Sequence, residues 1–427
     1  MARDLLFASN VVPDLYFGII RSCALKVMSS GIRPFETSGK GLLKLVDYSE
    51  NTTNVVIEKI DSYLESNGSK HGLFSAEQLE VMQLIKDLLC ELRSHIDIDG
   101  PVKLVKGMGN LMKKQDEIKL YKRRNQMRRN FFHTSLSHET RYDDAELHLK
   151  YAVSTYGKRV AYMFGMIHWT SNPLRVYSDD NLAIKSIGLE DEDILVHVQN
   201  GEIYLPGHFV AVNHERRHVV VSIWGTKQFH DILVDLNFIQ KDVMVVVDGI
   251  EYHGNVHRGM WMCAERLPLE LKSLVQDALE SHAGYSLVVT GHSMGAGVAT
   301  LLTLQWHENN LFAKRNLHCF ALAAPCVLCY KLVQLSILKK SVSSFVLGDD
   351  VLSRLSFSTV KEMGCSIARC GSDADIVYEL IEDKLWPGGA VWLLNAKEFE
   401  CKPQRIDPVE YLQSIQVNPS MIFYQTG

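Results

Sequence analysis

The sequence has no apolar run of membrane length, no paired-cysteine framework and no histidine beyond His318. Each absence excludes something. The most apolar stretch near the start, residues 15–28, is broken by Arg21 and Lys26 and is too short for a span. Residues 1–20 carry Asp4 and Asp14 and lack the basic start and apolar core of a secretory leader. The expectation is therefore a cytoplasmic protein with at most peripheral membrane contact, in which the sequons at Asn51 and Asn67 mean little. Nine cysteines, scattered and odd in number, argue against a disulfide scaffold. Cys326 and Cys329 form a CxxC, but no second pair sits at metal-ligand spacing, so buried core thiols are expected and no metal or cofactor is implied. A net charge of −5 gives no reason to expect a nucleic-acid partner. The missing downstream histidine bears directly on the chemistry below.

What is present falls into two regions. Residues 1–141 read as a helical N-terminal region. Ser75 and Gln78 suit a capping box, and Leu79, Met82, Ile85, Leu88, Leu89 and Leu92 share one helical face. A basic stretch follows over 103–129, including Lys113, Lys114, Lys122, Arg123, Arg124, Arg128 and Arg129. It is either a solvated helix face or a patch for anionic headgroups, each basic residue contributing about 1 kcal/mol near such a surface. Residues 142–427 switch to strands alternating with helices, the pattern of an α/β sheet flanked by helices. His218–Trp224 is a buried-strand pattern. Leu267, Leu271, Leu274, Val275, Ala278 and Leu279 stripe the next helix, and further strands are expected over 319–324, 343–347 and 391–394.

The chemistry centres on Gly291-His292-Ser293-Met294-Gly295. The β-branched run Leu287-Val288-Val289-Thr290 precedes it and the small-residue pattern Ala296-Gly297-Val298-Ala299 follows. A strand that delivers a serine into a tight turn before a helix is a nucleophile elbow, and glycines two residues either side let strand and helix approach. A serine hydroxyl needs a base to take its proton and an acid to orient that base. Asp350, just after the strand 343–347, is the candidate acid; Asp349 is the fallback, and a plain turn aspartate after Gly348 is the bland alternative. Oxyanion donors are expected from the Met294 N–H and from Thr226, in Trp224-Gly225-Thr226 at a strand end, each typically contributing about 3–4 kcal/mol. That segment could equally be an ordinary strand-end turn.

Three stretches together resemble a known family: residues 286–302 (SLVVTGHSMGAGVATLL), residues 219–236 (VVVSIWGTKQFHDILVDL) and Val256-His257-Arg258-Gly259-Met260. The sequence is similar there to the class 3 lipases, and within them to the sn-1-specific diacylglycerol lipases. The likeness extends to residues 347–356 around Asp350, to Tyr151-Ala152-Val153 through Tyr156-Gly157, and to Leu385-Trp386-Pro387-Gly388-Gly389. It covers roughly residues 142–424. It implies an α/β-hydrolase fold, Ser293 as nucleophile, Asp350 as acid, Thr226 and Met294 as oxyanion donors, and an acylglycerol ester as substrate.

Departures accompany the likeness. Trp224 stands where arginine is usual, Gln228 where serine is usual, and Ser353 where proline is common. Val417-Asn418-Pro419-Ser420-Met421 resembles the segment leading to the catalytic histidine, whose position holds Gln425. Glutamine takes up no proton near neutral pH, and loss of a triad base costs about a millionfold in turnover in a well-studied case. His292, His230, His257 and His318 are the remaining imidazoles considered, each more readily explained as structural. Two readings follow: a serine lipase acting through an acyl-enzyme on Ser293, or an inactive lipase-fold protein that binds lipid or a partner.

Overall fold

The computed structural model describes residues 101–129, 140–158, 181–226, 239–308, 316–372, 374–378, 380–394 and 404–416, with isolated positions elsewhere. The apolar face predicted over residues 79–92 lies mostly outside them, as do His230, Gln228 and Gln425. The longer helices are α1 (Pro101–Arg129), α2 (Thr140–Ser154), α3 (Arg258–Ser281), α4 (Met294–Glu308) and α5 (Phe357–Gly371). The strands are β1 (Ile194–Val198), β2 (His208–Asn213), β3 (His218–Ile223), β4 (Gln240–Val247), β5 (Ile250–His257), β6 (Ser286–His292), β7 (Leu317–Leu322), β8 (Leu328–Cys329), β9 (Val342–Leu347), β10 (Leu385–Trp386), β11 (Ala390–Leu394) and β12 (Gln404–Ile406).

These elements form two compact units. The larger holds an eight-stranded sheet in the order β1-β2-β3-β6-β7-β9-β11-β12. Its centre, β3-β6-β7-β9-β11, is parallel, and antiparallel strands close both edges. Central strands such as HVVVSI and SLVVTGH are rich in β-branched residues and buried except at their ends because helices cover both faces. Side chains alternate between those faces. Val288, Phe320, Leu322 and Phe345 meet Ala145 and Ala152 of α2, whereas Cys319 turns the other way toward Thr300 and Thr303 of α4. Helix α3 buries Leu267, Leu271, Val275, Ala278 and Leu279, most of the stripe read from the sequence. The architecture is α/β, a mixed sheet between helical layers.

A second antiparallel sheet, β10-β8-β5-β4, was not anticipated. Two of its strands are only two residues long and β5, IEYHGNVH, is strongly polar, so no alternating pattern announced the sheet.

The smaller unit pairs α1 with α5, although α5 lies inside the 142–427 region expected to be one domain. The helices approach closely at Gly107, where a Cβ would fall 2.0 Å from the Ile367 carbonyl oxygen. Asn110 donates to the Cys370 carbonyl at 2.9 Å. A capping box starts α5: Ser356 Oγ accepts from the Thr359 N–H while Thr359 Oγ1 accepts from the Ser356 N–H. Among the described residues, no helix is long and apolar enough to cross a membrane.

Candidate active site

Parallel pairing decides where the candidate residues meet. Ile223 of β3 lies opposite Gly291 of β6, Gly291 opposite Ala321 of β7, and Ala321 opposite Ser344 of β9. The segments leaving β3, β6 and β9 therefore emerge at one sheet edge, carrying Thr226, Ser293 and Asp350. This is the carboxyl edge, where open α/β sheets place their sites.

Ser293 occupies the single residue between β6 and α4, with φ +58 and only 7% exposure. An L-residue pays about 1 kcal/mol or more for this left-handed conformation, and such strain persists only where surrounding structure enforces it. The enforcement is visible. The Ser293 N–H donates to the Leu322 carbonyl at 2.9 Å, and its own carbonyl accepts from Ala296 at 2.9 Å and Gly297 at 3.2 Å. At Gly295 a Cβ would fall 2.3 Å from the Ile223 carbonyl oxygen and 2.5 Å from that of Trp224. Only glycine lets the first turn of α4 press against the end of β3. At Gly291 a Cβ would meet the Gly295 carbonyl at 2.4 Å.

Met294 is the first residue of α4, so its N–H has no carbonyl one turn earlier within that helix and points from the helix's positive end. The Trp224-Gly225-Thr226 segment lies directly alongside. A Cβ on Gly225 would sit 3.2 Å from Ser293 Cβ and 2.5 Å from the His292 carbonyl oxygen. Trp224, the departure from the usual arginine, is fully buried; its N–H donates to the Gly207 carbonyl at 3.0 Å. Thr226 follows, half-buried. The strand-end turn is thus packed against the elbow, with both candidate oxyanion donors on neighbouring segments.

Asp350 is fully buried. Its Oδ1 accepts the Leu352 N–H at 3.0 Å. Sequence reasoning passed over the group that shapes this loop, Arg354, although it sits in the quoted segment 347–356. Arg354 is buried and donates from Nη1 to the Asp350 carbonyl at 2.8 Å and from Nη2 to the Gly348 carbonyl at 3.3 Å. Burial pulls its pKa down, opposed by the nearby Asp349 and Asp350. Asp349, the fallback acid, is partly exposed and lies 3.9 Å from Arg354 Nη2.

A second overlooked residue is Tyr156, just beyond α2. Its hydroxyl lies 3.0 Å from His292 Nδ1, and the two rings meet edge-on with centroids 5.9 Å apart. Burial pushes the His292 pKa down to about 4, so the ring is neutral at physiological pH. No spacing rule links residues 156 and 292; only the fold does.

Of the other histidines considered, His257 and His318 lie among the described residues. His257 is buried, and its Nδ1 accepts the Met260 N–H at 3.3 Å, capping α3. His318 is in β7, within the sheet. Cys326 and Cys329 are free and buried, and Cys329 Sγ accepts the Asn255 N–H at 3.2 Å. In the basic stretch, Lys113 is exposed, whereas Lys114 is engaged with Asp375 Oδ1 at 2.9 Å and the Ala374 carbonyl at 2.9 Å. The side chains of Lys122, Arg123, Arg124, Arg128 and Arg129 lie outside the described residues.

Comparison with known proteins finds similarity to lipases. The family model described as lipase (class 3) matches residues 220–360. Mouse diacylglycerol lipase-beta is 31% identical over 213 residues, 48% of this chain and 30% of the relative. Human diacylglycerol lipase-alpha is 31% identical over 179 residues, 40% of this chain and 16% of the relative. The secreted mono- and diacylglycerol lipase 1 of Fusarium solani is 32% identical over 95 residues, 22% and 27% of the two chains. The chain thus spans under a third of the length of these curated relatives. Among solved structures, lipase II from Rhizopus niveus aligns at 17% identity and TM-score 0.43, covering 63% of this chain and 86% of that one.

Proposed function

We propose that this chain, whose residues 220–360 match the class 3 lipase family model, cleaves the ester bonds of an acylglycerol of the diacylglycerol type. Ser293 Oγ attacks the ester carbonyl carbon while its proton passes to a base. The carbonyl oxygen becomes an oxyanion, met by the Met294 N–H and by the N–H and hydroxyl of Thr226. The tetrahedral species collapses, the ester C–O bond breaks and the glycerol oxygen takes the proton. Water then releases the fatty acid from Ser293 by the same path. Asp350 is the acid that orients the base.

The observation that carries this reading is the strained Ser293, clamped at φ +58 with the β3 segment in contact through Gly225 and Gly295. A buried serine held this way at a strand-to-helix turn has no evident packing role. His257 is occupied as a helix cap, and residue 425, where the family resemblance expects the histidine, is glutamine. The basic residues of α1, with Lys113 exposed and Lys122, Arg123, Arg124, Arg128 and Arg129 further along, would supply contact with anionic headgroups at the lipid surface.

The test is ester hydrolysis by the 427-residue chain on a short-chain ester and on diacylglycerol, with Ser293→Ala as control. Turnover lost in the control supports the scheme. Turnover equal to the control, with diacylglycerol still bound, favours the alternative of a lipid-binding protein on the same fold.

A further inference from the structure

We propose that Tyr156 is a positioning residue for the Ser293 site, setting the separation of the two segments that carry the oxyanion donors. This rests on the serine-ester reading above. The hydroxyl occupies a defined place: a Cβ built on Gly225 would fall 2.0 Å from Tyr156 Oη, and the same point is 3.2 Å from Ser293 Cβ. One small oxygen thus lies against Gly225, the residue before Thr226, at a point where Gly225 also faces Ser293, the residue before Met294. On its other side the hydroxyl is tied to His292 Nδ1 at 3.0 Å, inside the elbow itself.

The tyrosine is in turn held by a rigid support. It lies in the turn that closes α2, where its N–H donates to the Val153 carbonyl and the Gly157 N–H to the Ser154 carbonyl, both at 3.1 Å. Helix α2 is anchored to the sheet twice. Asn213 Nδ2 donates to Tyr151 Oη at 2.7 Å, and Thr290 Oγ1 donates to the His148 carbonyl at 3.3 Å. Position therefore passes from the sheet, through α2, to a phenol touching both donor segments. An oxyanion stabilised by two donors is sensitive to their spacing, and a displacement near 1 Å costs up to about a hundredfold in rate. Phenylalanine would keep the ring but remove the atom that spaces Gly225 from the elbow, and would leave a buried imidazole nitrogen without this partner.

The experiment is the kinetics of fluorophosphonate labelling on the full chain, separated into the limiting rate and the apparent affinity. The parent, Tyr156→Phe, His292→Asn and the double variant are compared, with thermal midpoints measured alongside. Positioning predicts that Tyr156→Phe slows the limiting rate about tenfold or more while affinity and midpoint stay near the parent's. It also predicts that His292→Asn adds little in the Tyr156→Phe background, because the two residues act as one unit. A labelled parent with equally fast labelling of Tyr156→Phe overturns this proposal alone. A parent that does not label overturns the serine-ester reading and this proposal with it. Should Tyr156→Phe not fold, His292→Asn carries the same test: a slowed limiting rate at unchanged affinity supports the proposal, and an unchanged rate overturns it.

Discussion

Ser293 and His148 show how much a single position can hold. The serine is kept in a conformation L-residues avoid by donating to the Leu322 carbonyl and accepting from Ala296 and Gly297, so its strain is offset by the elbow as a whole. His148, in α2, is buried between Phe320 and Tyr151, stacked 4.0 Å from the Phe320 ring, and among the described residues neither of its ring nitrogens has a hydrogen-bond partner. Burial, followed by the neighbouring His218, His318 and Arg216, pushes its pKa down to about 3. The sign is fixed by linkage. Between about pH 6.5 and pH 3 the unfolded chain binds a proton at this residue that the folded chain refuses. Its neutral burial therefore costs nothing above pH 6.5, and stability falls progressively as pH drops from there toward 3. The slope due to His148 approaches about 1.4 kcal/mol per pH unit in mid-range. Denaturation of the parent and of His148→Phe across pH 4–7 is expected to show a shallower dependence in the variant. Equal slopes would mean that His148 is not kept neutral by the fold.

At the scale of elements, the site is made by contacts between the end of β3 and the start of α4. Gly295→Ala is expected to destabilise by more than the usual 1–3 kcal/mol of an overpacked core, because the added carbon meets backbone carbonyls of Ile223 and Trp224 that no rotamer change can move aside. The same variant should lose most fluorophosphonate labelling even at temperatures where it stays folded, since β3 must retreat from the elbow. Full labelling by a folded Gly295→Ala chain would contradict the clamp. The elbow, its glycines and β3, β6, β7, β9 and β11 were legible in the sequence because β-branched runs and Gly-x-Ser-x-Gly are local signals. The second sheet was not, since β8 and β10 are two residues each and β4–β5 is half polar. Tyr156 and Arg354 were missed for another reason. Their roles depend on partners, His292 and the Asp350 carbonyl, that only folding brings near.

Across the whole molecule, the sheet unit carries Thr226, Ser293 and Asp350 while the helical unit carries the basic stretch on α1. If that stretch meets lipid, the protein should cosediment with vesicles containing phosphatidylserine at low salt and release as ionic strength rises through 0.15 M toward 1 M, where the screening length falls from about 8 to about 3 Å. Replacing Lys113, Lys122, Arg123 and Arg124 by glutamine should weaken this binding by roughly the sum of about 1 kcal/mol per charge. Lys114→Gln should matter less, because that ammonium is already engaged with Asp375. Salt-independent sedimentation, or none, would reduce the stretch to a solvated face.

Local chemistry sufficed to announce a strand, a strained serine turn and a helix, because each is dictated by residues within a few positions of one another. It sufficed also to expect Asp350 and Thr226 just after strands, where they share the sheet's carboxyl edge with Ser293. Which strands pair, that α5 packs on α1, and that a tyrosine from residue 156 comes to rest against Gly225 and His292 were decided in three dimensions. Those choices depend on burying side chains from distant segments against one another, and no short-range pattern in the chain encodes which distant segment will arrive.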